Sequence, residues 1–323
     1  MVYEKIKALI DEANHILVIT HIRPDGDALG SLTAMGQALQ QLGKKCTLVC
    51  DDGMLERFRF LTLADDVLCD HPLDAQYDLA IAVDCGDQSR MGKAFTTIPE
   101  PVPTLINIDH HITNTEFGDV NLLDAEATSA AEILFDLLPA LGVSWTPDLA
   151  KSVLTGIVTD TLCFRVAGTT HKTLQAAAVL TAAGANLPEI TMQAINIKPL
   201  STLRLWREGL INMKMEGGLL WTSISKEARE AAGFPGNGNA GLVSFLGNAE
   251  QAAMGIVMTE MDGGRVIVGL RCRPPYDVSE LAMALGGGGH PLAAGATMDG
   301  PLEKVERLVV SMAREYIANQ TAL

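Results

Sequence analysis

Short apolar runs alternate with longer segments of helical spacing along the first half of the chain. Four runs have the length and composition of buried strands, at residues 16–19, 45–50, 79–83 and 104–108. Between these runs lie segments in which apolar and polar residues alternate with helical periodicity. The first of them covers residues 28–42. This alternation predicts an α/β fold whose N-terminal domain holds a doubly wound, mainly parallel sheet.

The second half of the chain first continues the helical pattern and then changes. Helices are predicted at 128–141, 147–159, 171–183 and, as a connection between domains, 188–210. Beyond them the pattern predicts strands at 217–225, 255–259 and 266–271 and helices at 277–285 and 302–318. We therefore expect a catalytic domain over 1–187, a connecting helix over 188–210 and a smaller C-terminal α/β domain over 211–323.

Acidic and imidazole side chains follow three of the predicted strands and one predicted helix. Ligands bind such sheets beyond the carboxyl ends of the strands, so these side chains should converge. One acid could be a simple helix cap, but several carboxylates in one place repel each other unless a divalent cation compensates them. The residues concerned are His21, Asp25, Asp27, Asp84, Asp109, His110, His111 and Asp160.

The donor types in this set limit the choice of metal. Carboxylates mixed with imidazoles suit manganese, iron, cobalt or zinc, whereas a structural zinc site would use thiolates. The set also has more acids than one ion needs. Two ions about 3.5–4 Å apart, sharing a carboxylate, form the arrangement used to hydrolyse phosphoesters.

Charge and composition exclude several classes of protein. The 323 residues carry a net charge of −15, which argues against a broad basic face for duplex nucleic acid but not against a short anionic substrate. No apolar run is long enough for a membrane span, and the chain starts without a signal-peptide core. The six cysteines form no CxxC pair. We expect a cytoplasmic protein with no membrane partner.

Five stretches resemble, in chain order, the motifs of the DHH phosphoesterases. They are HIRPDGDALGS, VDCGD, NIDHHITN and TGIVTDT, followed by GGGGHPLAAG, which resembles the signature of the DHH-associated C-terminal domain. The resemblance covers nearly the whole chain. In size and layout the chain is similar to the stand-alone nanoRNase and 3′-phosphoadenosine-5′-phosphate phosphatase group.

The resemblance implies a site with two divalent metal ions, manganese in the first place and magnesium or cobalt as alternatives. One ion would be held by His21, Asp25 and Asp84, and the other by Asp27, Asp84, His110 and Asp160. Asp84 would then bridge the two ions. His111 would protonate the leaving oxygen, and Asp109 would orient a histidine.

The resemblance also implies a substrate site in the C-terminal domain. The amides of Gly287, Gly288 and Gly289, with the side chains of His290 and Arg271, would bind the terminal phosphate or nucleotide. Two other residues keep alternative interpretations. Arg90 either faces the substrate phosphate or forms a loop salt bridge with Asp87. Asn114 either shapes its own loop or contacts the substrate.

The expected function is hydrolysis of short oligoribonucleotides to mononucleotides, of 3′-phosphoadenosine-5′-phosphate to AMP, or of both. A phosphodiesterase acting on cyclic-di-AMP or linear diadenylate is the alternative, ahead of a RecJ-like exonuclease or a nucleotide-binding regulator without catalysis. The partner would be a short single-stranded RNA or small nucleotide and no duplex. The sequence leaves formation of a homodimer open.

Overall fold

The computed structural model describes residues 2–72, 75–98 and 102–321. The chain forms two compact units, Met1–Ile197 and Lys198–Leu323. The domain limits predicted at 187 and 211 stay a prediction. Within the described residues, no helix is both long enough and apolar enough to cross a membrane.

The N-terminal unit is built on a six-stranded sheet with the order β3-β2-β1-β4-β5-β6. Its strands are β1 (His15–Ile19), β2 (Lys45–Val49), β3 (Val67–Leu68), β4 (Leu79–Val83), β5 (Thr104–Asp109) and β6 (Val120–Leu123). Every neighbouring pair is parallel, which confirms the predicted doubly wound sheet. The sequence pattern missed β3 and β6, because the first has two residues and a polar Asn121 interrupts the second.

Helices cover both faces of this sheet. They are α1 (Val2–Glu12), α2 (Gly26–Gln41), α3 (Gly92–Thr96), α4 (Ala130–Ala140), α5 (Pro147–Asp160), α6 (His171–Ala182) and α7 (Leu187–Ile190). In β1, Ile16 and Val18 face the larger core and Leu17 and Ile19 the smaller one. Burial on both faces explains why these strands are unbroken apolar runs in the sequence. The strand order reverses between β1 and β4, so a binding crevice forms at their carboxyl ends.

Helices α2 and α5 pack with almost no space between their backbones. A Cβ on Gly30 would lie 2.7 Å from the carbonyl oxygen of Ser152, and one on Gly156 would lie 2.6 Å from Oδ1 of Asp27. Only glycine allows this approach. The close packing brings the end of α5, and with it Asp160, next to the start of α2.

The C-terminal unit holds a second six-stranded sheet with the order β11-β12-β10-β9-β8-β7. Its strands are β7 (Lys214–Glu216), β8 (Leu219–Ile224), β9 (Met254–Glu260), β10 (Arg265–Cys272), β11 (Gly288–His290) and β12 (Ala293–Asp299). Within this second sheet, only β8 and β9 pair in parallel among the described strands. This mixed sheet with its helices confirms the predicted second α/β domain.

Two groups of helices cover the two faces of this second sheet. The helices are α8 (Leu200–Ile211), α9 (Lys226–Ala231), α10 (Leu242–Gly247), α11 (Ser279–Ala284) and α12 (Leu302–Thr321). Residues of α11 and α12 share one core with β10, and residues of α8 and α10 share another with β8 and β9. The unit is therefore a sheet between two helical layers.

The single connecting helix predicted over 188–210 is wrong. A π-helical segment, Thr191–Asn196, follows α7, and α8 starts only at Leu200. Pro199 explains the break, because proline has no N–H to donate and disfavours helical geometry in the residue before it.

Candidate metal centre

The turn between β1 and α2 fixes two of the predicted ligands. Asp25 caps α2, and its Oδ1 accepts hydrogen bonds from the N–H groups of Asp27 and Ala28 at 3.0 and 3.1 Å. His21 is buried, with Nδ1 2.8 Å from the carbonyl oxygen of Ile22. The cap leaves Oδ2 of Asp25 without a hydrogen bond in the described part of the chain, so this oxygen can accept a cation.

Asp84 lies directly after β4 and is 2% exposed. Its Oδ2 is 3.4 Å from Nε2 of His21, and its Oδ1 is 3.6 Å from Nε2 of His110. Oδ1 is buried without a hydrogen-bond partner among the described residues. A buried oxygen with no partner is costly, and so is the φ of 59° that Asp84 adopts. A cation bound by Asp84 would satisfy the unpaired Oδ1, and strained backbone of this kind is concentrated at functional sites.

Asp27 is fully buried in the first turn of α2. Its oxygens accept hydrogen bonds from the N–H groups of Ala130 and Ala131 at 2.6 and 2.9 Å. These amides begin α4, whose positive dipole end favours the carboxylate. Nε2 of His110 lies 3.9 Å from Asp27 Oδ2 and 3.4 Å from Asp160 Oδ2.

The predicted ligands fall into two groups, in each of which the nearest donor atoms lie within 4.8 Å of one another. The first group is His21, Asp25 and Asp84, and the second is Asp27, His110 and Asp160. A third group, made of Asp84, Asp109, His110 and His111, overlaps both. The structure therefore brings together all six residues proposed as metal ligands, with Asp84 between the two groups.

The electrostatics of this cluster favour a cation. Burial, followed by the nearby carboxylate of Asp25, raises the pKa of Asp27 to about 7. Burial and then Asp27 raise the pKa of Asp160 to about 9 and that of Asp84 well above its usual range. Burial also lowers the pKa of His110, which favours the neutral imidazole, the form that binds metals. Divalent ions would offset the repulsion among these acids.

Asp109, His111 and Asn114 form a hydrogen-bonded group beside the cluster. Nδ1 of His111 lies 2.7 Å from Oδ1 of Asp109, and Asn114 donates to Oδ2 of Asp109 at 2.6 Å. Burial acts to raise the pKa of Asp109, but the bonds from His111 and Asn114 outweigh it and leave this pKa lowered. The same bond from Asp109 is the main cause of the raised pKa of His111. The His111 side chain is 45% exposed, so its ring can meet a substrate.

Asn114 is a structural residue of its loop. Besides donating to Asp109, it donates to the carbonyl of Cys85 at 3.0 Å and accepts from the N–H of Glu116 at 2.7 Å. Both the amide nitrogen and the amide oxygen of its side chain are thus occupied within the loop, which favours the loop-shaping interpretation. Through them Asn114 positions Asp109.

Arg90 lies next to the cluster and does not pair with Asp87 in the described structure. Its Nη2 is 3.0 Å from Nδ1 of His21, while Asp87 caps the short turn by accepting from the N–H of Ser89 at 2.7 Å. Nδ1 of His21 cannot donate to Ile22 and accept from Arg90 at once. We place its proton toward Ile22, because that contact is shorter and leaves Nε2 free for a cation.

In the C-terminal unit, Arg271 and His290 lie on the same face of the sheet. The register places Ala293 directly between them, since it pairs with Arg271 on one side and His290 on the other. Directly opposite residues point to the same face. Nη1 of Arg271 donates to the carbonyl of Leu270 at 2.8 Å, and the guanidinium has no carboxylate partner within the described ranges. His290 is exposed.

The glycine motif is an edge strand, β11, and not an open loop. The N–H of Gly287 donates to the carbonyl of Ala282 at 2.8 Å, so the predicted phosphate contact of this amide is wrong. A Cβ on Gly287 would lie 2.1 Å from the carbonyl oxygen of Gly295, and one on Gly289 would lie 2.5 Å from Cα of Ala294. These two glycines allow the chain to pass close to the backbone of β12. Contacts from the amides of Gly288 and Gly289 stay predictions.

The sequence pattern missed the backbone donors that hold Asp27. Ser129 accepts from the N–H of Glu132 at 3.0 Å and so sets the start of α4 two residues later than predicted. The sequence SAAE at 129–132 has the spacing of a capping box and could have located this start. It could not have shown that the amides of Ala130 and Ala131 meet Asp27, because that contact spans about a hundred residues.

Comparison with known proteins identifies the family of the chain. The family description "DHH family, N-terminal domain" matches residues 15–157, and "DHHA1 domain" matches residues 229–319. The chain is 34% identical to the bifunctional oligoribonuclease and PAP phosphatase NrnA of Thermus thermophilus, covering 98% of this chain and 94% of that protein.

Solved structures share the fold. An exopolyphosphatase-related protein from Bacteroides fragilis has a TM-score of 0.87 at 21% identity, covering 99% of this chain and 97% of that one. RecJ from Thermus thermophilus, solved in complex with Mn²⁺, has a TM-score of 0.58 at 19% identity, covering 98% of this chain and 55% of that one. The chain belongs to the DHH family of phosphoesterases.

Proposed function

We propose that this phosphoesterase uses two divalent metal ions to hydrolyse short oligoribonucleotides and 3′-phosphoadenosine-5′-phosphate. The observation that carries the proposal is Asp84, a buried carboxylate whose two oxygens face His21 on one side and His110 on the other. A carboxylate shared in this way suits a pair of ions. The substrates follow from the Thermus thermophilus relative, whose name carries both activities.

The donors support manganese as the resident ion, with magnesium or cobalt as alternatives. His21, Asp25 and Asp84 would hold one ion, while Asp27, Asp84, His110 and Asp160 would hold the other. Mixed oxygen and nitrogen donors suit manganese, and the structurally similar RecJ was solved with Mn²⁺. When bound, such ions neutralise charge on a phosphate and lower the pKa of a coordinated water.

The remaining polar residues supply the proton and further charge. Because Asp109 accepts the Nδ1 proton of His111 and raises its pKa, His111 is a good general acid for the leaving oxygen. The guanidinium of Arg90 places a positive charge at the His21 side of the cluster. There it can bind a phosphate oxygen that does not take part in the cleaved bond.

Binding of the other end of the substrate falls to the C-terminal unit. His290 is exposed and Arg271 lacks a carboxylate partner within the described residues, so both can donate to a phosphate or nucleotide. Ala293 lies between them in the strand register, so Arg271 and His290 are close enough to share one ligand. The net charge of −15 disfavours a long strand, since nothing balances many phosphates.

The test is a panel of substrates turned over by metal-stripped protein with and without added Mn²⁺. It would contain 3′-phosphoadenosine-5′-phosphate, cyclic and linear diadenylate, and one labelled RNA series from two to about 24 nucleotides at fixed salt. We expect Mn²⁺-dependent kcat/KM to be highest for the phosphatase substrate and for RNAs of two to about five nucleotides, and to fall steeply beyond that.

Three outcomes of this panel would contradict the proposal. Equal or rising efficiency on the long RNAs would favour a strand-degrading exonuclease. A cyclic diadenylate preferred by more than about tenfold would instead assign the chain to second-messenger hydrolysis. Full turnover after metal removal would exclude the metal-dependent mechanism.

A further inference from the structure

The connection after β2 brings Arg57 to the edge of the first sheet that forms the metal centre. Arg57 belongs to a short 3₁₀ turn, Glu56–Phe58, in this connection. Strand β2 pairs in parallel with β1, so both strands end at the edge where the metal ligands gather. The thiol of Cys50, directly after β2, donates to the carbonyl of His21 at 3.5 Å. The connection is therefore joined to the turn that carries the first ligand group.

Within the described ranges, the guanidinium of Arg57 forms neither a hydrogen bond nor a salt bridge. Arg59, two residues on, differs in this respect, since its Nε lies 3.0 Å from Glu56 and its Nη1 lies 2.7 Å from Asp65. Partial burial lowers the pKa of Arg57, and the carboxylate of Asp25 is the charge that acts to raise it. Arg57 thus lies near a predicted metal ligand without forming a salt bridge to it.

The guanidinium of Arg57 is nevertheless supported by an aromatic ring. Its central carbon lies 4.8 Å from the centroid of the Phe58 ring, which is within the range of a cation–π contact. Phe58 is completely buried in the main core of the N-terminal unit, so its ring is a fixed support. The Arg57 side chain remains open to solvent. A guanidinium stacked in this way loses less freedom when it binds an anion.

A metal ion in the first ligand group would change the charge around Arg57. Asp25 and Asp84 each bring one negative charge to this group, and burial lowers the pKa of His21 and so favours its neutral form. A divalent ion would cancel the two negative charges. Asp25 would then attract Arg57 much less, and the guanidinium could bind an anion that lies on the ion. A phosphate fits, because its oxygens match the planar donors of a guanidinium.

We propose that Arg57 is a further substrate-binding residue, which donates to a non-bridging oxygen of the phosphate that is hydrolysed. The inference rests on the proposed function, because it requires this phosphate to lie at the first ligand group. Arg90 contacts His21 from the connection after β4, and Arg57 would reach the phosphate from the connection after β2. Since β1 lies between β2 and β4, the two arginines would hold the phosphate from opposite sides.

A rival interpretation is that Arg57 only balances the charge of Asp25. The two interpretations differ in what the loss of Arg57 does to metal binding. If Arg57 only balances Asp25, its removal takes away a competing cation, so Mn²⁺ should bind more tightly and a phosphate should bind Mn²⁺-loaded protein as before. If Arg57 binds the phosphate, its removal should weaken phosphate binding and change Mn²⁺ binding little.

The test compares Arg57→Ala and Arg57→Lys with Arg59→Ala, a control that removes the same charge two residues away. Calorimetry measures binding of AMP, which keeps the attacked phosphate of linear diadenylate, to Mn²⁺-loaded protein, and steady-state kinetics give KM for linear diadenylate. Arg57→Ala should bind AMP at least about tenfold more weakly, with a similar rise in KM, as expected for lost hydrogen bonds to a charged group. Arg57→Lys keeps the charge but not the stacked fork and should lie between. Arg59→Ala should stay within about twofold of wild type.

Titration of metal-stripped protein with Mn²⁺ alone separates the two interpretations. We expect the Mn²⁺ affinity of Arg57→Ala to stay within about threefold of wild type. Circular dichroism of both alanine variants should match wild type, because both arginine side chains are exposed. Mn²⁺ binding that becomes tenfold tighter, with unchanged AMP binding, would overturn the inference in favour of charge balance at Asp25.

Two further outcomes decide between this inference and the function on which it rests. AMP affinity of Arg57→Ala within about twofold of wild type overturns the inference, and so does a wild-type chain that binds no AMP. A wild-type chain that binds AMP through Arg57 but turns over no substrate of the panel would support the phosphate contact and refute the proposed function.

Discussion

The metal centre and the glycine motif are both formed at the margin of a sheet, but by opposite physical means. In the metal centre charged side chains are buried, with Asp84 following strand β4 and Asp27 in the first turn of α2, where backbone N–H groups hold its carboxylate in place. In the glycine motif Gly287 allows a close approach to the backbone of β12, while His290 remains exposed. The side chains proposed to bind metal ions are buried, whereas His290, proposed to bind substrate, is exposed at the surface.

The largest expected effect separates the two regions most clearly. Asp84→Asn keeps the size of the side chain but removes the charge shared by the two ligand groups, so kcat/KM on a dinucleotide should fall by about a thousandfold or more. Asp87→Asn, three residues away and outside the cluster, is the matched control and should stay within about twofold. Activity of Asp84→Asn within tenfold of wild type would contradict the proposal that Asp84 is shared by the two metal ions.

The second effect concerns the proton donor. His111→Asn should lower kcat by about 10² to 10³ with little change in KM, because a general acid acts only in the transition state. The raised pKa of His111 means that its acid form is lost as pH rises through that value, so wild-type kcat should decline on the alkaline side. The kcat–pH profile of His111→Asn should lack this alkaline decline, and that of His171→Asn should retain it. If the alkaline decline were unchanged in His111→Asn, another group would be the proton donor.

The third effect should appear in binding alone. His290→Ala removes an exposed donor in the unit that holds no metal ligand, so KM should rise by about tenfold and kcat should stay within about twofold. Steady-state kinetics on a dinucleotide give both constants. A fall in kcat at constant KM would instead show that His290 acts in the chemical step. The two regions would then not differ in the way described.

The smallest effect is on stability and tests the role of the glycines. Gly287→Ala would place Cβ 2.1 Å from a backbone oxygen, so we expect a loss of about 1–3 kcal/mol in the free energy of unfolding. At Gly288 a Cβ meets nothing within 4 Å, so Gly288→Ala should leave stability unchanged or slightly higher. Urea denaturation measures both. Equal stabilities of Gly287→Ala and Gly288→Ala would mean that the close approach of Gly287 to β12 does not require glycine.

The same contrast explains what could be predicted from the sequence. Asp84 and Asp109 could be placed together because they end neighbouring parallel strands, and such ends meet at one edge of a sheet. Strand β11 could not, because a run of glycines carries no alternation of apolar and polar side chains. The amides that hold Asp27 were also out of reach, since a long-range backbone contact leaves no local pattern. Pro199 was visible in the sequence and should have ended the connecting helix.

The central claim, two ions sharing Asp84, is tested most directly by anomalous diffraction from crystals of the chain grown with Mn²⁺. We predict two peaks about 3.5–4 Å apart, one on each side of the Asp84 carboxylate. The first should be bounded by His21 and Asp25 and the second by His110 and Asp160. A single peak, or two peaks that do not share Asp84, would contradict the account.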